Sequence, residues 1–301
     1  MTHVYLKGGL GNQLFQIAAA LSYDESVVHL LIAPDQEKHS ALKRLTLPSI
    51  IVPTSFKPSL FLEKLLNASL VASGKKQSKV STGERVILSR LIQRFMKDVQ
   101  SVHISTNLGF SPFSSKDKEV LLVGYFQTHR YVAEPSVYRH LMSLKLKSHS
   151  KEFSRLEEIA RDKRILIVHV RRGDYRKEQT FGLLSREYYV KAIKMATQFD
   201  NYDELWVFSD EPKVARELVP KGYSKTVRFP EPRISDSAET FELMRMGAGF
   251  VIANSSYSWW AATLSKVSGC NVFSPEPWFS GRSSPAELVP EKWVAISAEF
   301  E

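Results

Sequence analysis

Arg171, Arg172 and Asp174 follow the apolar run Ile165–Val170 with almost no spacer. Guanidinium groups stay charged and bind oxyanions through paired hydrogen bonds, so the pair suits a phosphate group. The other reading is an Arg–Asp salt bridge that ties down a loop. Two further polar sets follow apolar runs in the same way. Ser209, Asp210 and Glu211 come after "LWVF", and Asn254, Ser255, Ser256 and Ser258 come after "FVIA". Small hydroxyls at the start of a helix either cap it or leave its amides facing an anion. Near the start of the chain, "GGLGNQ" (Gly8 to Gln13) is a glycine-rich turn followed by the amides of Asn12 and Gln13. It lacks the full dinucleotide spacing and the Walker lysine. His169, inside the apolar run, reads as a structural strand histidine or as a member of the same site. No His/Cys set has zinc spacing, no Asp-x-Asp seats a divalent ion, and no Gly-x-Ser-x-Gly elbow is present.

These residues need elements to bring them together. "RILIVHV", "ELWVFS" and "GFVIAN" read as strands, and "SREYYVKAIKMATQ", "AETFELMRMGA" and "SWWAATLSKV" as helices. Apolar strands alternating with helices predict a parallel sheet covered on both faces. In such a sheet, ligands bind at the carboxyl ends of the strands. The three polar sets therefore fall at one edge of one sheet. Trp259 and Trp260 read as core. The first half opens the same way, with "HVYLKGGLGNQLFQIAAALSY" as strand, turn and helix, and "EVLLVGYFQ" as a later strand. A polar stretch at residues 148–162 predicts the domain boundary.

Between them lie two amphipathic stretches, "SLFLEKLLNASLVA" and "RVILSRLIQRFMKDV", separated by a loop at "SGKKQSK". Leu88, Leu91, Ile92, Phe95, Met96 and Val99 recur at helical spacing. Basic residues outnumber acids from Lys57 to Lys97, where the only acids are Glu63 and Glu84. Two readings follow: a core helix with a solvated basic face, or a helix that lies on an anionic membrane.

The whole chain of 301 residues carries 41 Lys and Arg against 32 Asp and Glu, a net charge of +9 that favours an anionic partner. Nucleic acid is a poor candidate, because aromatics do not interleave with the basic residues as stacking platforms. Cys270 is the single cysteine, so no intrachain disulfide forms. The first residues lack a secretory h-region, and no apolar run reaches the roughly 20 residues of a membrane helix.

"HVRRGDY", "GGLGNQLFQIA" and "ANSSYSWWAA" together resemble the α-1,2-fucosyltransferases of glycosyltransferase family 11. "GYFQTHRY", "FSDEP", "PEPWF" and "EKWVAI" follow in the family's order, so the resemblance runs from about residue 6 to about 296. It implies an α/β fold of GT-B type with two Rossmann-like domains facing a cleft. Residues 1–155 are expected on the acceptor side and residues 156–301 to bind GDP-fucose. It implies inverting transfer of L-fucose from GDP-fucose to the 2-hydroxyl of a galactoside, in surface glycan or O-antigen synthesis, with no metal. Its HxRRGD motif falls on His169, Arg171, Arg172, Gly173 and Asp174, where arginine holds the donor's β-phosphate. Phe208, Ser209, Asp210 and Glu211 match the family's Phe-Ser-Asp-Asp with a conservative change at the end. Glu242 stands where the family carries an aspartate, and Asn12 and Gln13 match the first motif. The expected donor-site set is thus Asn12, Gln13, His169, Arg171, Arg172, Ser209, Asp210, Glu242, Asn254, Ser255, Ser256 and Ser258. Arg171, Arg172 and Asp174 are the catalytic candidates, with Asp174 either the base for the acceptor hydroxyl or the residue that orients an arginine. The expected setting is bacterial and cytoplasmic, with a galactose-terminated, lipid-linked acceptor and a peripheral contact at the inner face of the plasma membrane. The alternatives are a related GT-B transferase of other linkage or donor, and a non-catalytic nucleotide- or nucleic-acid-binding protein.

Overall fold

The computed structural model describes every residue except 25, 36–39, 75–81, 114–116, 179, 221–224 and 232–235. Most of the polar loop at "SGKKQSK" therefore lies outside the described residues. The chain forms two compact units. The first holds Met1–Lys145 and takes back Pro285–Leu288; the second holds Leu146–Ser284 and Val289–Glu301.

The first unit is built from β1 (Thr2–Leu6), α1 (Leu10–Tyr23), β2 (Val28–Ile32), the two-residue strand β3 (Leu45–Thr46), β4 (Ile51–Thr54), α2 (Leu60–Gly74), α3 (Thr82–Phe95), β5 (Ser101–Ile104), β6 (Val120–Val123) and α4 (Pro135–Met142). Its five-stranded parallel sheet runs β4-β2-β1-β6-β5. Gly8 makes the turn into α1 at a φ of +91°, where a Cβ would stand 2.7 Å from the Asn12 amide nitrogen. Only glycine fits there. On α3, Ile92 is buried with Leu66, Leu70 and Val99, and Leu88 and Met96 pack against them. That side of the helix is core, while Val86, Ile87 and Phe95 on it are exposed.

The second unit contains α5 (Lys151–Arg161), β8 (Ile165–Val170), α6 (Arg186–Phe199), β9 (Glu204–Ser209), α7 (Pro212–Leu218), β10 (Thr226–Arg228), α8 (Ser237–Met244), β11 (Gly249–Val251), α9 (Ser256–Thr263), β12 (Asn271–Glu276) and β13 (Val294–Ser297); β7 (Lys145–Leu146) is a two-residue strand at the junction. Its six-stranded sheet, β10-β9-β8-β11-β12-β13, is parallel throughout. Every residue of β8 is buried, which explains a sequence that is apolar except for His169. All of α5 belongs to this unit. Its N-cap Ser150 gives both its backbone N–H and its hydroxyl to the Glu239 carboxylate on α8, each at 2.7 Å. Trp259 and Trp260 are fully buried on α9.

Candidate active site at the β8–β9 edge

β8 and β9 pair in parallel, from Ile165 opposite Glu204 to Val170 opposite Ser209. Their carboxyl ends therefore lie side by side, and the residues that leave them meet. In an extended exit, neighbouring side chains take opposite sides. Arg171 leaves half-exposed, at 31%, while Arg172 turns inward, at 6%.

Arg171 is held between two carboxylates. Its Nη2 donates to Asp174 Oδ1 at 2.6 Å, and its Nη1 lies 3.1 Å from Asp210 Oδ2. The Tyr175 ring lies under the same guanidinium, 5.6 Å from ring centroid to Cζ. The Arg171 Nε is buried with no partner among the described residues. Asp210 joins the two crossovers: its Oδ1 accepts the Arg172 backbone N–H at 3.0 Å. Gly173 gives room for this, since a Cβ there would sit 2.6 Å from Asp210 Oδ2. Asp174 opens a 3-10 turn, Asp174–Lys177, and is 65% exposed.

The Arg172 guanidinium forms a fork with the Glu301 carboxylate at 2.6 and 2.7 Å. It is thus buried as well as paired, whereas Arg171 is paired but half-exposed. Arg176 pairs with Glu211 in a second fork at 2.9 and 2.5 Å, and Arg176 holds that carboxyl below its ordinary range. Ser209 accepts the Glu211 backbone N–H at 2.9 Å, so its hydroxyl shapes the turn into α7.

His169 is buried on β8, with its ring 5.9 Å from that of Tyr257. Burial, reinforced by Arg171, lowers its pKa to about 3, so the ring is neutral. Its Nδ1 has no hydrogen-bond partner among the described residues. At the β11 exit, the Asn254 side-chain amide donates to the carbonyls of Phe181 and Gly182 at 2.9 and 3.2 Å. The Asn254 carbonyl receives the Tyr175 hydroxyl at 3.0 Å. This link ties the Arg171 turn to β11, and burial raises the Tyr175 pKa to about 12. Ser255 caps α9 by accepting the Tyr257 N–H, and the Ser258 hydroxyl returns to the Ser255 carbonyl at 3.2 Å. Ser256 is the first residue of α9. The second unit thus brings together Arg171, Arg172, Asp174, Ser209, Asp210 and the Asn254–Ser258 turn.

Glu242, Gln13 and Asn12, also expected at the donor site, have partners of their own. Glu242 is buried on α8, where it pairs with Arg245 one turn on and with Lys266 at 2.9 Å. A buried carboxylate needs such cations, and here they occupy it. Gln13, in the first unit, donates to the Gly8 carbonyl at 3.0 Å and accepts from Ser40 at 3.2 Å. Asn12 accepts from Gln127 at 3.0 Å. Sequence reasoning missed Glu301, the Arg176–Glu211 fork and the tie from Tyr175 to Asn254. Only the fork had a signal, namely opposite charges just beyond two adjacent strands. Among the described residues no group of three or more His, Cys, Asp and Glu side chains is placed to hold a metal ion, and no helix is long and apolar enough to cross a membrane.

Residues 70–296 match the family described as Glycosyl transferase family 11. An alpha-1,2-colitosyltransferase of Escherichia coli is 29% identical over 306 residues, covering 97% of each chain. The O-antigen biosynthesis glycosyltransferase WbnK of Escherichia coli is 32% identical over 133 residues, covering 43% of each. Among solved structures, the fucosyltransferase NodZ from Bradyrhizobium superposes with a TM-score of 0.52 at 13% identity, covering 90% of this chain and 94% of that one. NodZ alpha-1,6-fucosyltransferase co-crystallized with GDP gives a TM-score of 0.51 at 14% identity over the same shares. The two parallel α/β units are a GT-B fold, and the chain belongs to glycosyl transferase family 11.

Proposed function

We propose that this glycosyltransferase moves L-fucose from GDP-fucose to the 2-hydroxyl of a galactoside, with inversion and without a divalent ion. The observation that carries the reading is Arg171: a half-exposed guanidinium at the carboxyl end of β8, fixed by two carboxylates, with its Nε unpartnered among the described residues. As the bond from the fucosyl carbon to the phosphate oxygen breaks, negative charge grows on GDP. A fixed cation there stabilises the transition state more than the ground state. The acceptor oxygen forms the new bond to the fucosyl carbon and gives its proton to a base. Asp174 suits that role: the arriving phosphate competes with it for Arg171, which frees a solvent-accessible carboxylate.

The colitosyltransferase relative supports a second donor on the same reading, a nucleotide carrying colitose. Unit 1 is assigned to the acceptor, which is a lipid-linked glycan at an anionic membrane face. Leu60, Phe61, Val71, Val86, Ile87 and Phe95 are exposed on α2 and α3, and Phe61 meets Phe95 with ring centroids 5.3 Å apart. Lys64, Arg90 and Arg94 are exposed on the same two helices. Exposed apolar residues among cations suit an anionic bilayer surface.

Incubation with GDP-fucose or the colitosyl donor and a galactoside panel, followed by linkage analysis, tests the proposal. A 2-linked fucosyl product is expected. Transfer of colitose alone would reassign the donor, and absence of transfer from both would overturn the reading.

A further inference from the structure

Arg172 is adjacent to the phosphate-facing arginine yet points inward. A guanidinium cannot shed its charge, so one buried to this degree requires an anion. Glu301 supplies it in a two-point fork, 129 residues further along the chain. Glu301 is itself held in place. Its backbone N–H donates to the Leu183 carbonyl at 2.9 Å, and the Ser185 N–H donates to the Glu299 carbonyl at 2.7 Å. Between them Phe300 forms a bridge with Leu184. The Phe300 ring fills the space beside Gly182, where a Cβ would meet it at 2.4 Å. Residues 299–301 thus form an extended strip that delivers one carboxylate to Arg172.

The effect reaches Arg171 through Asp210. One Asp210 oxygen takes the Arg172 backbone N–H and the other takes the Arg171 guanidinium. Without Glu301, the buried Arg172 guanidinium would draw on the acids nearest to it. Asp210 already accepts the Arg172 backbone N–H, and the Arg172 charge already acts on the neighbouring Glu211. A shift of the Asp210 carboxylate would take from Arg171 one of the two carboxylates that hold it.

We propose that Glu301 is a positioning residue for the donor-phosphate site: by engaging Arg172 it keeps Asp210 on Arg171. The inference rests on Arg171 being the phosphate-facing residue.

The test uses the full chain and calorimetric titration with GDP at a temperature well below melting. Glu301→Ala is expected to weaken GDP binding about tenfold, the scale of one lost charge-assisted hydrogen bond. Glu301→Gln keeps one accepting oxygen and is expected to recover part of that loss; it also stands in if the alanine variant does not fold. The deciding measurement is the cycle with Arg171→Ala. If Glu301 acts through Arg171, removing it from the Arg171→Ala protein costs no further GDP affinity. A Glu301 variant that melts lower but binds GDP as the parent does would overturn the inference, and so would additive losses in the cycle. Unchanged GDP affinity in Arg171→Ala alone would instead overturn the phosphate assignment.

Discussion

Gly173→Ala probes the geometry of the site without removing any charge. The added Cβ would lie 2.6 Å from Asp210 Oδ2 and 3.3 Å from its Cγ. Carbon–oxygen contacts settle at about 3.3–3.6 Å. The carboxylate must therefore move by about 0.7–1.0 Å. Asp210 holds the Arg172 N–H at 3.0 Å with one oxygen and Arg171 Nη1 at 3.1 Å with the other. Lengthening either contact by about 0.7 Å takes it past hydrogen-bond range. Loss of one charge-assisted bond costs roughly 1.5–3 kcal/mol. GDP affinity is expected to fall about tenfold or more. At about 2 kcal/mol the melting temperature falls by roughly 4–8 °C. Calorimetric titration and thermal denaturation measure both. Gly9→Ala serves as the stability control, since its Cβ meets nothing within 4 Å. Parental GDP affinity and melting in Gly173→Ala would refute the claim that Asp210 needs this space.

Arg171→Ala is expected to abolish transfer, and Arg171→Lys to restore only part of it, because an ammonium cannot repeat the planar two-point contact; full activity in the lysine variant counts against a guanidinium–phosphate fork. Transfer is expected to survive excess EDTA, and complete loss restored by manganese or magnesium would end the metal-free reading. The His169 pKa is about 3 in the folded chain against an ordinary 6.5. Below pH 6.5 the unfolded chain therefore binds a proton that the folded chain refuses, and stability falls as pH drops toward 3 at up to about 1.4 kcal/mol per pH unit. His169→Asn should flatten the dependence of unfolding free energy on pH over that window, and identical slopes would show that His169 does not contribute. With liposomes, the chain should sediment with anionic but not neutral vesicles, release at high salt, and bind less as Arg90→Gln/Arg94→Gln/Lys97→Gln. Equal recovery in the supernatant with both vesicle types would leave α3 as core alone.

The strand and its arginines were legible because a fully buried parallel strand has no polar side, so the first polar residues mark its end. The GT-B class was legible from the strand–helix alternation together with the family motifs. The division of labour between Arg171 and Arg172 was not. It depends on Glu301, which no local pattern connects to residue 172. Glu242 shows the opposite case. Its partner Arg245 stands three residues on, a spacing visible in the sequence, whereas a match to a family motif concerns residue type and says nothing of pairing. Helical spacing predicts one apolar face for α3, yet Ile92 packs inward while Phe95 faces out. Helical spacing gives a stripe, not its edges.

The return of Pro285–Leu288 to the first unit has a consequence for synthesis. The Glu287 carbonyl receives the hydroxyl of Thr128 at 2.9 Å and the N–H of His129 at 2.9 Å. A ribosome that has just finished Lys145 has therefore not yet made the last piece of that unit. At about 5–20 residues per second, the missing tetrapeptide emerges some 7–28 s later. Until then the turn at Thr128–His129 has to be satisfied by water. The nascent first unit is a partly open body for as long as the second is being made, and a gene cut at the junction would leave it that way.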